Sequence, residues 1–319
     1  MAITRIEMPA GAIETLDDDI GFIALVDRMR EDPALKVVNA ARISYEKQKE
    51  AYDENDKKLA SFLWEHGHTS PYRHSFYTFH WKAPLFVFRQ AFKYQVGSTW
   101  RTYEADGKTV AFEVFDILFD TDKGCSWNEI SGRYVQWSPE FYVPPRMRAN
   151  PPHGNKQASF DLPESFDHEG ERAAMTAECQ HAFELYNQRI ERGVAKEIAR
   201  MLLPQNIYTQ AYWTVSLQGV MHFLEQRLKP DAQYEIRRYA QGVYDHVKGD
   251  LERLGIVDDI VAEPLGGAHR NREHAATSLK QAIARALREL DRVPVDALLE
   301  QRYQKFRRIG SHLFGDPAD

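Results

Sequence analysis

An α-rich α/β fold is what this 319-residue sequence predicts, and three observations carry the prediction. Apolar residues recur at helical spacing over 55–65, 171–201, 213–228 and 234–254. The stretch from Ser75 to Trp81 instead has the aromatic and β-branched content of a strand. Hydrophobic residues make up 43% of the chain, enough to bury a sizeable core.

In chain order, Leu59, Phe62 and Leu63 give the first helix its apolar spacing, and Gly67 supplies its stop. A loop follows over 66–74. After the strand, Pro84 suits the first turn of a helix that is expected to bury Leu85, Phe88 and Phe92. Its other side would present Arg89, Gln90 and Lys93, a polar face whose two cations can bind an anion. Residues 97–125 are polar and glycine-punctuated around the apolar run Val110 to Phe119, which predicts a hairpin or flap. Asn150 to Gly170 reads as a long surface connection. The helix over Glu171–Met201 would carry Val194, Ile198 and Leu202 on its apolar stripe, leaving Arg200 pointing away. In the helix over Tyr234–Leu254 the stripe is Ile236, Ala240, Val243, Val247, Leu251 and Leu254. Glu273 to Arg308 alternates charge with leucine and reads as an added helical cap, so the chain is expected to divide into 1–255 and a C-terminal helical extension over 256–319.

Net charge is −6, which argues against a general nucleic-acid binder, because such proteins displace counterions with a basic surface. Residues 1–19 carry five acidic side chains and no signal-peptide pattern, and no apolar run reaches the length of a membrane span. A cytoplasmic location is the expectation, with neither membrane nor nucleic acid as a partner. The two cysteines, Cys125 and Cys179, are far apart and neither sits in a metal-spaced cluster. His66, His68 and His74 match no standard zinc spacing, and no metal is expected.

Neither a G-x-G-x-x-G nor a G-x-x-x-x-G-K-[ST] loop is present, so phosphates would be held by side chains. The densest polar cluster is Asn128-Glu-Ile-Ser-Gly-Arg-Tyr134, which a core could not bury unpaired. Arg133 could fork two donors onto a phosphate, and Gly132 would let backbone N–H groups approach it. A glycine turn with a surface salt bridge explains the same residues equally well. Arg200 lies in a second cluster, Glu197 to Thr209, and Arg227 closes the Trp213–Leu228 helix, where the helix dipole alone would favour it.

Taken in order, these segments resemble the flavin-dependent thymidylate synthases, the ThyX family. The likeness runs from about Gly21 to Lys248 through Asn39-Ala-Ala-Arg-Ile-Ser44, His66-Gly-His-Thr-Ser-Pro71, Thr78-Phe-His80, Ala83-Pro-Leu-Phe-Val87, Arg89-Gln90, Asn128–Tyr134, Glu197-Ile-Ala-Arg200, Arg227 and Gln233-Tyr-Glu235. The resemblance implies a central mixed sheet flanked by long helices, in a homotetramer whose active sites lie at subunit interfaces. It implies nucleotide contacts from Gln90, Lys93, Glu129, Ser131, Gly132, Arg133, Arg200 and Arg227, with Arg200, Arg227 and Ser131 nearest the chemistry. FAD would meet His68, Ser70, Arg73, Lys93, Tyr94, Gln95, Ser216, Gln218 and His222. The family signature is Arg-His-Arg followed by Asn-Glu-x-Ser-x-Arg. Here the second half is intact, the first aligns with Lys93-Tyr94-Gln95, and about thirty extra residues separate them.

The implied activity moves a methylene unit from methylenetetrahydrofolate to C5 of a pyrimidine nucleotide, with reduced FAD supplying hydride and NAD(P)H recharging it. No cysteine nucleophile is needed. The altered signature points to a UMP/dUMP methylase of the kind found in nucleoside-antibiotic pathways. An ordinary dUMP-specific synthase and a non-catalytic nucleotide-binding paralogue are the alternatives.

Overall fold

The computed structural model describes residues 8–92, 100–105, 108–113, 125–150, 159–256, 272–291, 294–297 and 299. A two-residue strand β1 (Ile13–Glu14) leads into β2 (Phe22–Arg28), then α1 (Pro33–Arg42), α2 (Glu54–Glu65) and a 3-10 turn over Ser70–His74. The central strand β3 (Phe76–Pro84) passes directly into α3 (Leu85–Phe92). Next come the hairpin strands β4 (Trp100–Ala105) and β5 (Lys108–Glu113), then β6 (Cys125–Glu129) and the short pair β7 (Arg148–Ala149) and β8 (Phe160–Asp161). The later half contains α4 (His168–Glu191), the single turn α5 (Lys196–Ala199), β9 (Tyr208–Ser216), α6 (Leu217–Arg227) and α7 (Tyr234–Arg253).

Five strands form one sheet in the order β1-β2-β3-β9-β6. The α-rich α/β class holds, but each described pairing is antiparallel, where a mixed sheet was expected. The longest ladder pairs β3 with β9 from Phe76↔Ser216 to Pro84↔Tyr208. Alternation then sorts the side chains. Tyr77, Phe79, Trp81, Trp213 and Val215 are buried on one face, beneath α6 and α7. Trp81 is fully buried, stacked on Tyr239 at 5.4 Å and edge-on to Trp127, Trp213 and Phe223. The opposite face carries Thr78, His80, Lys82, Gln210, Tyr212 and Thr214. On it His80 stacks on Tyr212 at 4.9 Å and pairs with Gln210 at 2.9 Å.

Several segments depart from the sequence reading. Trp213, expected in a helix, lies in β9: its spacing to Leu217 and Val220 suits a helix, but the aromatic and β-branched run Tyr208–Val215 also alternates with period two, and pairing on both edges decides for the strand. Pro84 ends a strand rather than opening a helix, and α3 buries Val87, Phe88 and Ala91, with Leu85 and Phe92 only half-buried. The helix expected over 171–201 stops at Glu191, because Gly193 adopts a positive φ of 85° that breaks the helical run. Consequently Ile198 and Leu202, expected in an apolar core stripe, are exposed at 49% and 52%. Within 150–170 lie β8 and the first turn of α4. Lys93, Tyr94 and Gln95 lie outside the described residues, as does the whole span from Val114 to Phe119.

The chain clusters into two compact units, 1–256 and 257–319. In the second, α8 (Arg272–Asp291) exposes Leu279, Ile283 and Leu287 at four-residue intervals. The remainder of the helix expected to Arg308 falls largely outside the described residues.

A buried carboxylate ties the first two helices of unit 1 together. Asp56 is fully buried and accepts from Arg42, from Lys49 Nζ at 2.9 Å and from the Asp53 backbone N–H at 2.8 Å, completing the capping box of α2. Asn39 meanwhile pairs with both backbone groups of Lys49, at 2.8 and 3.0 Å. Asp56→Ala leaves the Arg42 guanidinium without its buried partner and removes the capping box of α2, and urea unfolding should show a loss of about 3 kcal/mol. A loss under about 1 kcal/mol would mean that the network contributes little.

Candidate functional site

The sheet's β9–β6 edge and the start of α3 bring together the residues singled out in sequence. Backbone bonds set the frame: Leu85 N–H donates to Ile207 O at 3.0 Å, and Phe86 N–H to Gln205 O at 3.1 Å. The loop after Leu202 thus satisfies donors that open α3. At the other end of α3, Arg227 Nη2 donates to the Gln90 carbonyl at 2.9 Å, capping a carbonyl in the helix's last turn with a cation from α6.

The next residue back, Arg89, faces a different group. Glu129 ends β6, where Ile130 N–H donates to Gln210 O at 2.9 Å. Although the residue as a whole is exposed, packing around its carboxyl desolvates it and raises its pKa. The nearby Thr209 hydroxyl and the charges of Arg200 and Arg89 pull the other way. Consecutive residues of α3 thus act on two groups: the charge of Arg89 adds to that of Arg200 at Glu129, and the Gln90 carbonyl seats Arg227.

Beyond Glu129 the chain turns tightly, with Tyr134 and Val135 N–H groups both donating to Ser131 O, at 2.9 and 3.0 Å. Gly132 sits inside this turn, where a Cβ would lie 2.2 Å from Trp137 Nε1 and 3.1 Å from Arg200 Cδ. That contact needs glycine. Arg133 points outward, its guanidinium 5.2 Å from the Tyr134 ring and its backbone N–H 3.4 Å from Ser131 Oγ. Among the described residues the Ser131 hydroxyl meets Arg133 N–H and Nε–H, at 3.4 and 3.5 Å, and no histidine or carboxylate, which suits a binding hydroxyl rather than a nucleophile.

The expected flavin contacts gather elsewhere, where the 3-10 turn meets the start of α6. Arg73 Nε donates to Gln218 Oε1 at 2.7 Å, and Gln218 Nε2 donates to Thr69 Oγ1 at 2.8 Å. His222 follows Gln218 by one helical turn, and His68 and Ser70 are exposed on the adjoining loop. Ser216 is different: it is 1% exposed and its hydroxyl accepts from Gly219 N–H at 3.2 Å, so it serves as the N-cap of α6. From Gln218 to Arg227 the helix rises about 14 Å, so the two groups sit at opposite ends of α6.

Sequence reasoning gave Arg89 an anion-binding place on the polar face of its helix and assigned no site role to Gln233, Glu235, Arg148 or Tyr142. All are tied to this region. Gln90 Nε2 donates to Gln233 Oε1 at 2.5 Å, and Gln233 Nε2 to Glu235 Oε2 at 2.9 Å. The signal in sequence was the Gln233-Tyr-Glu235 triplet at the start of a helix, an acidic residue followed at once by the apolar stripe.

The thymidylate synthase complementing protein family model matches residues 24–251. The chain belongs to this family. Among its relatives, the flavin-dependent thymidylate synthase of Thermus thermophilus is 39% identical over 230 residues, 72% of each chain. That of Thermosipho africanus is 36% identical over 225 residues, 70% of this chain and 85% of its own. Of solved structures, the UMP/dUMP methylase PolB from Streptomyces cacaoi bound with 5-Br dUMP aligns with a TM-score of 0.58 at 27% identity, over 77% of this chain and 100% of its own. The same methylase bound with 5-Br UMP gives 0.56 and 25%, over 74% and 95%. An acetyl co-enzyme A carboxylase carboxyltransferase-like model matches only 240–310, overlapping the first within α7. The family match spans both ends of α3, the Asn128–Tyr134 turn and the whole of β9 and α6.

Two measurements test this geometry. Gly132→Ala forces Trp137 or Arg200 aside and should cost about 1–3 kcal/mol in urea unfolding. Glu129→Gln removes a charge that burial disfavours. With the folded-state pKa raised, the native carboxyl holds its proton more tightly than the unfolded one, so parent stability falls relative to the variant as pH rises through that pKa. Thermal melts from about pH 4 to about pH 8 should therefore show the variant gaining on the parent with rising pH.

Proposed function

We propose that this chain is a flavin-dependent methyltransferase acting at C5 of a pyrimidine nucleoside monophosphate, UMP and/or dUMP, with methylenetetrahydrofolate as the one-carbon donor. The observation that carries the reading is the seating of Arg227 on the Gln90 carbonyl at the end of α3, with Arg200 packed against the Gly132 turn, within a chain belonging to this family. A nucleotide asks for cations at its phosphate and for donors where charge builds on the ring. Arg133 and Ser131, on the exposed turn, suit the phosphate. Arg200, half-buried beside Gly132, suits a ring oxygen that becomes more negative as C5 attacks, and preorganised donors stabilise such charge most where water is scarce. Arg227 is anchored by the Gln90 carbonyl and so needs little reorganisation on binding.

The second group fits a dinucleotide carrying a pyrophosphate: Arg73 is a cation oriented by Gln218, with His68, Ser70 and His222 close in the fold. Reduced FAD, when bound, supplies the hydride that converts the transferred methylene into a methyl group, and NAD(P)H restores it. Arg73, Gln218, His68, Ser70 and His222 would hold it; Ser216 acts through the cap of α6. Because the two groups sit at opposite ends of α6, each complete site would combine the nucleotide residues of one subunit with flavin residues of another, in a homotetramer. Tyr134, Ile198, Met201 and Leu202, all exposed beside the nucleotide residues, supply apolar surface for that assembly.

The test is to incubate the purified yellow protein with methylenetetrahydrofolate, NADPH and either UMP or dUMP, and to identify the 5-methyl product by mass spectrometry. Product from dUMP alone marks a dUMP-specific synthase, the activity named for the Thermus and Thermosipho relatives. No product from either overturns the assignment. Arg200→Ala and Arg227→Ala should each lower kcat/KM by at least about 100-fold with flavin content retained. Arg73→Ala should reduce bound flavin and leave nucleotide affinity within about twofold.

A further inference from the structure

Beneath the nucleotide residues lies a chain of side chains with a fixed direction. Glu235, the second residue of α7, is 1% exposed. Its Oε1 accepts from Arg148 and from the Tyr142 hydroxyl at 3.1 Å, and its Oε2 accepts from Gln233 Nε2 at 2.9 Å. Burial opposes charge on Arg148, but the carboxylate outweighs it and the guanidinium pKa is raised. Burial and the same carboxylate push the Tyr142 phenol up, so that hydroxyl keeps its proton and donates.

Paired with a guanidinium, a carboxylate can only accept. Gln233 must therefore turn its NH2 toward Glu235, which leaves its carbonyl oxygen facing Gln90. Gln90 must in turn present its own NH2 there, as it does. One buried charge thus sets the orientation of two neutral amides, and the second belongs to the residue whose backbone carbonyl seats Arg227.

We propose that Glu235 is a positioning residue for the nucleotide site: acting through Gln233, it fixes the orientation of Gln90 and steadies the Gln90–Arg227 contact, while Arg148 and Tyr142 lock Glu235 in place. This rests on the nucleotide-site reading given above. A carboxylate serving stability alone would need Arg148 and Tyr142, and Gln233 would be dispensable. Here, among the described residues, the amide relay runs from Glu235 through Gln233 to Gln90.

Glu235→Gln keeps the shape but can both donate and accept, so the amide order is no longer enforced. In the full flavoprotein, titration calorimetry should show the dissociation constant for dUMP or UMP rising by about tenfold, with flavin per chain unchanged. In a Gln90→Ala background the same substitution should change that constant by less than about twofold, because the relay has lost its end. Parent-like affinity in Glu235→Gln, or an undiminished loss in the Gln90→Ala background, overturns the proposal. If Glu235→Gln does not fold, Gln233→Met at the half-buried relay position decides: it should give the same loss, and unchanged affinity overturns the proposal. Crystal structures of parent and variant provide an arm independent of ligand. In the variant the Gln90 side chain should rotate and the Arg227 contact lengthen; an unmoved Gln90 overturns the proposal. A parent that binds nucleotide but makes no methylated product removes the catalytic assignment and leaves these comparisons intact.

Discussion

The ladder between β3 and β9 is the constraint on which the rest of unit 1 depends. Nine consecutive pairs join strands more than a hundred residues apart in sequence, and at about 3.4 Å per residue they span about 27 Å. Each end of that ladder seeds a functional group. At Pro84 and Tyr208 the chain enters α3 and leaves the Pro204–Ile207 loop, with Phe141 bridged to Ile207 and Tyr142 N–H bonded to Asn206 O. At Phe76 and Ser216 it meets the Arg73 turn and the start of α6, where Leu217 N–H donates to Ser75 O at 2.7 Å. Helix α6 then runs back along the sheet and delivers Arg227 to α3. A shift of one residue in this register would exchange the buried aromatic face for the polar one and separate both groups.

Buried charge is used sparingly and locally. Lys82, 5% exposed, pairs with Glu140 at 2.9 Å and holds the segment leading to Tyr142 against the sheet. Asp56 fixes the connection between α1 and α2, and Glu235 fixes the head of α7. Asp56 and Glu235 each accept from three donors, as burial demands, and Glu235 joins segments distant in sequence. Such pairs contribute less to net stability than hydrophobic contacts of the same volume would. What they supply is direction, since a charged acceptor leaves its partners one orientation to choose.

How far all this was legible in the sequence follows from the range of the signals involved. Helices α2 and α7 and strand β3 could be read because their periodicity is local and strong: Ile236, Ala240, Val243, Val247 and Leu251 mark α7 unaided. Strand β9 could not, because Trp213, Leu217 and Leu224 fit a helical wheel as well as Tyr208–Val215 fits alternation, and only pairing with β3 and β6 separates the two. The break at Gly193 was hidden by apolar residues that continue in helical register on exposed surface. At the site, the Asn128–Tyr134 cluster stood out for its density of polar groups. The glycine requirement at Gly132 depends on Trp137 and Arg200, and the role of Gln233 on Gln90, 143 positions away; neither contact leaves a local trace.

The placement of the β4–β5 hairpin has a thermodynamic consequence. The chain departs from α3 at Phe92 and rejoins the sheet at Cys125, two points already anchored by helix packing and by the β6–β9 ladder. Closing a longer loop between fixed anchors costs only about 0.6 kcal/mol for each doubling of its length. Moreover, β4 and β5 pair with each other and need no strand of the main sheet. This connection therefore lies where the fold is almost indifferent to how much chain is added. Variation there can be explored at little risk to folding, while residues on the far side of Cys125 stay held in register.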